Sequence, residues 1–366
     1  MSTIQESERT AIQEELVRFL RAEAGEDKLR SGMRSDRGYD HAVWQKMAEM
    51  GLLGIAISED FGGIGGSAVD TAMVAEELGR SLLPVPFIET CVIAPVLLES
   101  SDMTDESRKI LTRIAQGTAT IAIGGDADFV PFQDPDCSLA IKADGTISGE
   151  VSLVMHGASA DFLLLAFDSG KQIRCLLVSS DHDYTIESQT ANDPALRPAK
   201  ISLASVPFIE LTGCGNRDLE RARWQGIVAL SAQQTGAARA IFDVTVDYLQ
   251  TRYQFGRPIG SFQALKHIAA DLFLEVESAA SAAQAAAQAL ASKAPQTAQS
   301  VALAGFLCND AFREVSAQAI QLHGGIAYTQ EHVAHLYWRR ARATLSMFGD
   351  SDLHREAYLS AWEAAA

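Results

Sequence analysis

Cysteine is scarce and scattered. Cys91, Cys137, Cys175, Cys214 and Cys308 are odd in number, far apart and without a C-x-x-C pair, which excludes a disulfide framework and a cysteine-built zinc site and fits a reducing, cytoplasmic setting. Basic charge is also short: 30 Lys and Arg face 47 Asp and Glu, a net charge of −17. Such a surface repels phosphate backbones and anionic bilayers, so neither nucleic acid nor a membrane is expected as a partner. Long apolar runs are missing too, because stretches such as Phe162 to Phe167 are far too short to span a bilayer. The first fifteen residues carry four glutamates and no apolar core, unlike a secretory signal or an Arg-rich transit peptide.

Proline thins out along the chain, and its distribution divides the sequence. Of 10 prolines only Pro258 and Pro295 follow Asn216, and both fall where a helical pattern stops. At 366 residues and 47% hydrophobic composition the chain exceeds a single small module, and three zones are expected: 1–117, 118–215 and 216–366. In the first, apolar residues recur at helical spacing over Ile12 to Leu20, Val43 to Leu53 and Ala68 to Leu78, with Ser67 to Asp70 as a capping box. In the second the period changes to two over seven short runs between Ala119 and Leu211, which predicts a β-barrel or sandwich rather than a parallel sheet. In the third, four long helices are expected near Asp218 to Thr251, Phe262 to Lys293, Thr297 to Leu322 and Glu331 to Met347, then a short tail from Ser351. The alanine-rich stretch Ala279 to Ala291 suits tight helix packing. The predicted fold class is multidomain α+β, with an N-terminal α-helical domain, a middle β-barrel and a C-terminal four-helix bundle.

Generic chemical motifs are absent. There is no P-loop, G-x-S-x-G elbow or H-E-x-x-H, and Gly62 to Gly66 joins two helices without the G-x-G-x-x-G register, so it reads as an ordinary loop. His332 and His335 lack a Glu-x-x-His partner on neighbouring helices, so no metal site is expected. Two segments stand out. Arg252 to Gln263 links two long helices, and Gln321 to Tyr328 ends a third. An arginine on an interhelix turn suits a pyrophosphate, and adjacent glycines let backbone N–H groups approach a ligand.

Together these segments resemble the acyl-CoA dehydrogenase family of flavoproteins. The likeness covers nearly the whole chain: Gly51-Leu-Leu-Gly54, Ser58 to Gly63 and Ala75-Glu-Glu-Leu-Gly-Arg80 look like the family's first-domain segments in order. The resemblance implies an FAD-dependent enzyme that removes a proton from Cα and a hydride from Cβ of an acyl-CoA thioester, with the hydride going to the flavin and the electrons passing to an electron-transferring flavoprotein. It also implies that Arg252, Gln254, Phe255, Gln263, Gln321, Leu322, His323, Gly324 and Gly325 reach across a dimer interface to the neighbour's FAD.

Where the family keeps its catalytic base, the chain departs from the pattern. The usual glutamate position near the C-terminus is Phe348, and the position used by other branches, in the first bundle helix, is Gly226. The flavin-contact stretch of the middle domain is replaced by Ile121 to Asp128. Intact donation with a missing base is similar to the shorter bacterial branch that processes steroid or bile-acid side chains, in which one subunit of an α₂β₂ tetramer only completes its partner's FAD site. Two alternatives remain open: an active homotetramer whose base has moved to Asp350, Asp352 or Glu220, and a non-enzymatic acyl-CoA-binding or scaffold protein.

Overall fold

Capping chemistry sets the first helices of the computed structural model, which describes residues 4–170 and 172–365. Helix α1 (Glu6–Glu23) opens with Gln5 N donating to the Glu8 carboxylate at 3.0 Å. After α2 (Glu26–Arg34) and α3 (His41–Glu49), α4 (Ala68–Arg80) opens with the expected capping box, Ser67 N and Oγ both donating to Asp70 at 2.7 and 2.6 Å. The helix expected to run on to Leu53 stops at Glu49, because Gly51 adopts φ 75° and starts a separate 3-10 turn at Leu52–Gly54. Besides α2, helical segments beyond the expected runs are a π-helix at Ile88–Ile93 running into α5 (Ala94–Ser100), and α6 (Asp105–Ala115).

Among the described residues the middle region holds eight strands: β1 (Ile121–Gly125), β2 (Ala140–Ile141), β3 (Ile147–Val154), β4 (Phe162–Asp168), β5 (Ile173–Ser179), β6 (Thr185–Ser188), β7 (Ala199–Val206) and β8 (Ile209–Glu210). They form two four-stranded sheets, ordered β1-β4-β5-β8 and β2-β3-β7-β6, and among the described residues no backbone ladder closes them into one barrel. One pair is parallel. Ile121 lies opposite Phe162 because the chain visits the second sheet between β1 and β4, which supplies the crossover a parallel pair needs. Strand alternation splits the first sheet between two cores. Ala122, Leu163, Leu165 and Leu176 face the second sheet, whereas Ile121, Ile123, Leu164 and Leu177 face the helices. A strand buried on both faces reads as the continuous apolar run Phe162 to Phe167.

The C-terminal region contains α7 (Asn216–Thr251), a short hairpin of β9 (Tyr253–Gln254) and β10 (Arg257–Pro258), α8 (Gln263–Ser292), α9 (Thr297–His323), α10 (Ala334–Ala343) and α11 (Ser351–Ala365). The fourth expected helix is shorter than its pattern suggests. The expected short tail is instead a 15-residue helix packed on α9, with Ser351 Oγ on Asp310 at 2.9 Å. Helix α7 also meets α4 backbone to backbone. A Cβ on Gly79 would strike the Gln233 carbonyl, and one on Gly236 would strike that of Glu76, so both glycines are required by the closeness of the helices. The first region and the bundle therefore share one hydrophobic core, which runs from Leu16 and Trp44 to Phe348. Among the described residues no helix is long and apolar enough to cross a membrane.

Candidate functional site

The α7–α8 hairpin and the end of α9 lie at the same end of the bundle. Phe255 and Gly256 form the two-residue turn with φ 53° and 77°, the positive pair that a tight hairpin demands. Arg252 caps α7, and its carbonyl accepts from Ile259 N at 2.8 Å. Tyr248, one turn earlier, donates its hydroxyl to the His323 carbonyl at 3.3 Å and stacks on that imidazole with centroids 4.5 Å apart. This contact ties the hairpin to the Gln321–Gly325 turn. His332 extends the stack at 4.4 Å from His323. Burial pushes both imidazoles below their ordinary range, so this stack is neutral near pH 7.

The hairpin and turn residues divide by the direction they face. Arg252, Gln254, Phe255, Gln263, Gln321, Gly324 and Gly325 are exposed, Phe255 at 89%. Leu322 and His323 are buried, and His323 Nδ1 lies 2.8 Å from the Ala319 carbonyl. These two side chains pack inward and leave ligand contact to their backbone. Gly324 needs glycine for its φ of 66°, but Gly325 has no positive φ, and a Cβ there would meet nothing of its own chain within 4 Å. Nothing internal explains glycine at 325. An exposed arginine, an exposed aromatic ring and open glycine backbone suit a pyrophosphate carrying a ring.

Nearer the start of α7 the packing is closed. Phe348 and Gly226 touch: a Cβ built on Gly226 would lie 2.7 Å from Phe348 Cζ and 3.1 Å from Ile93 Cδ1. The two positions at which the sequence reading expects the family's base thus converge on one point, and a phenyl ring fills it. Phe348 is 3% exposed, in a left-handed conformation with φ 59°. Its N–H donates to the Pro131 carbonyl at 2.9 Å. That bond fastens the bundle to the loop after β1, whose Phe129 and Val130 are buried in the same core as Met347 and Phe348.

The acidic alternatives stand elsewhere. Asp350 accepts from Leu353 N at 2.9 Å at the start of α11, Asp352 is exposed beside Arg355, and Glu220 is exposed on α7. Sequence reasoning misses Glu89. It lies on the π-helix at 5% exposure, and burial raises its carboxyl to about 7. Its signal is a lone acid in the otherwise apolar run Val85 to Leu98. His332 and His335 are engaged locally, with His332 Nδ1 accepting from Ala334 N at 3.2 Å. Among the described residues no three metal-ligating side chains converge.

Comparison with known proteins decides the family. Residues 6–118 match the acyl-CoA dehydrogenase N-terminal domain, and residues 222–361 match the acyl-CoA dehydrogenase C-terminal domain. The chain belongs to the acyl-CoA dehydrogenase family. Acyl-CoA dehydrogenase IpdE2 of Mycobacterium tuberculosis is 33% identical over 98% of both chains. A solved variant of the Tcur3481-Tcur3483 steroid ACAD superposes with a TM-score of 0.87 at 26% identity, covering 98% of this chain and 99% of that one. The ChsE4-ChsE5 complex from Mycobacterium tuberculosis has the same fold, with a TM-score of 0.86 at 21% identity over 96% of each chain. Membership makes the chain part of an FAD-dependent class of oxidoreductase. FAD supplies the hydride acceptor that side chains lack. The open hairpin and turn fit its adenosine and pyrophosphate, whereas the packed point at Phe348 offers neither a base nor space for one.

Proposed function

We propose that the chain is the FAD-completing, base-lacking subunit of a heteromeric acyl-CoA dehydrogenase. In this reading the hairpin and the Gln321–Gly325 turn hold the adenosine half of a flavin whose ring, base and acyl-CoA substrate lie on a second subunit. The single observation that carries it is the packing of Phe348 on Gly226, which removes both usual base positions at once. The relatives support the assembly and a steroid-type acyl-CoA as substrate class, since one likeness is to the paired Tcur3481-Tcur3483 steroid ACAD. Electrons would leave to an electron-transferring flavoprotein, in the cytoplasm.

The test is Arg252→Glu, in the chain co-expressed with a base-carrying dehydrogenase subunit encoded beside it. Replacing a cation at a pyrophosphate by an anion should weaken FAD retention by roughly 100-fold or more. Unchanged flavin content in the purified heteromer would defeat the proposal and leave the scaffold reading. One observation favours a second reading, the self-sufficient enzyme with a displaced base. Glu89 is a buried carboxyl held near pH 7 on a π-helix whose Ile93 borders Gly226, and π-turns concentrate at functional sites. In that case a purified homotetramer turns over acyl-CoA, and Glu89→Gln abolishes the turnover.

A further inference from the structure

A second opening lies where all three regions meet, away from the Phe348 packing. Its walls come from Arg30, Met33 and Arg34 of α2, from Pro194 in the middle region, and from the end of α9 through α10. Its volume is about 710 Å³, within the range of small-molecule pockets, which favour domain junctions. The walls are fixed. Asp193, beside Pro194, makes a buried ion pair with Arg340 of α10, and Arg197 donates to the carbonyls of Met33 at 3.1 Å and Asp36 at 3.3 Å.

The lining is cationic and aromatic. Arg30 is held by Glu26, but among the described residues no carboxylate pairs with Arg34 or Arg339. In a chain of net charge −17, two unneutralised guanidinium groups in one cleft form a local anion trap. His335 is lowered chiefly by burial, against the raising effect of its bond to the His332 carbonyl, with Arg30 and Arg339 adding to the lowering and Glu26 opposing it. Trp338 and Tyr328 are 41% and 79% exposed. Among the described residues no carboxylate holds Arg34 or Arg339, and the two exposed rings lie beside them.

We infer that this junction binds a phosphorylated purine, the base lying against Trp338 and Tyr328 and the phosphates on Arg34 and Arg339. The shared chemistry is that of the ADP end of CoA and of free adenine nucleotides. Gln321 of the glycine turn also lines one wall, so the junction adjoins the flavin half-site and shares that residue with it.

Isothermal titration of the full chain with ADP tests this. The expected result is saturable binding that the Arg34→Glu/Arg339→Glu pair weakens by at least tenfold, on the scale of lost charge-assisted bonds. Trp338→Ala should weaken it by roughly tenfold, and Arg252→Glu should leave it unchanged. CoA should compete with ADP. Competition by FAD would show that the junction is part of the flavin site and would overturn its assignment as a separate one, whereas no competition by FAD supports it. No saturable binding, equal affinity in the arginine pair variant, or loss of binding in Arg252→Glu would overturn the assignment. The last result would move the nucleotide to the hairpin, and flavin content of the heteromer distinguishes that from failure of the proposed function.

Discussion

Glycine serves opposite purposes at the Phe348 packing and at the Gln321–Gly325 turn. Gly226 makes room for a residue of its own chain, because Phe348 occupies the space its side chain would take. Gly325 makes room for nothing in its own chain, and its neighbourhood is empty. One place is finished by internal packing, and the other waits for something from outside. On the proposed reading a family site is lost in one place and kept in another within the same chain, each judged by what its glycines touch.

The comparison is broken most severely at Phe348. Phe348→Ala removes a buried ring and should cost about 3–5 kcal/mol in urea unfolding, while the flavin content of a heteromer stays the same if this place is packing alone. Glu89 should have a similar effect through pH. Its folded value of about 7 lies above the ordinary carboxylate value, so the folded state retains a proton that the unfolded chain loses. Stability is fully present below the ordinary carboxylate pKa and falls as pH rises through about 7, by on the order of 3 kcal/mol. Glu89→Gln should flatten that fall in a pH series of unfolding curves. His156 and His354 act in the opposite direction, because burial lowers both to about 4. Their contribution is present above the ordinary imidazole value and is lost as pH falls toward 4.

Smaller changes sharpen the contrast. Gly226→Ala should cost about 1–3 kcal/mol by overpacking against the ring, and should cost almost nothing in the Phe348→Ala background. Additive losses would show that the two residues do not compete for one space. Gly325→Ala should change stability by less than about 0.5 kcal/mol, yet lower flavin retention of the heteromer. A Gly325→Ala variant that keeps its partner's FAD would remove the outward reading of this glycine.

What is legible in the sequence follows from how local the cause is. The helices of the bundle and most strands are visible because amphipathic period and proline placement are local signals. The stretch Val85 to Leu98 is not recognisable as helical, because it is buried on every side and almost wholly apolar, so no period shows. Helix α11 reads as a tail because its buried face is narrow, with Ser351 and His354 as its buried residues. The parallel pairing of β1 with β4 and the separation into two sheets depend on contacts between distant strands, which spacing does not encode. For the candidate site, the sequence marks the hairpin and the glycine turn, and it marks Phe348 and Gly226 as separate vacancies. Their contact, which makes them one filled position, joins residues far apart in sequence and needs coordinates. The inward turn of Leu322 and His323 is equally hidden, because helical phase at the end of α9 sets it.

The central claim concerns who owns the flavin, and counting flavins per chain by native mass spectrometry with a visible spectrum tests it most directly. The account predicts a colourless chain when expressed alone, and a yellow heteromer with half as many flavins as chains when its partner is present. A yellow homotetramer with one flavin per chain would contradict it.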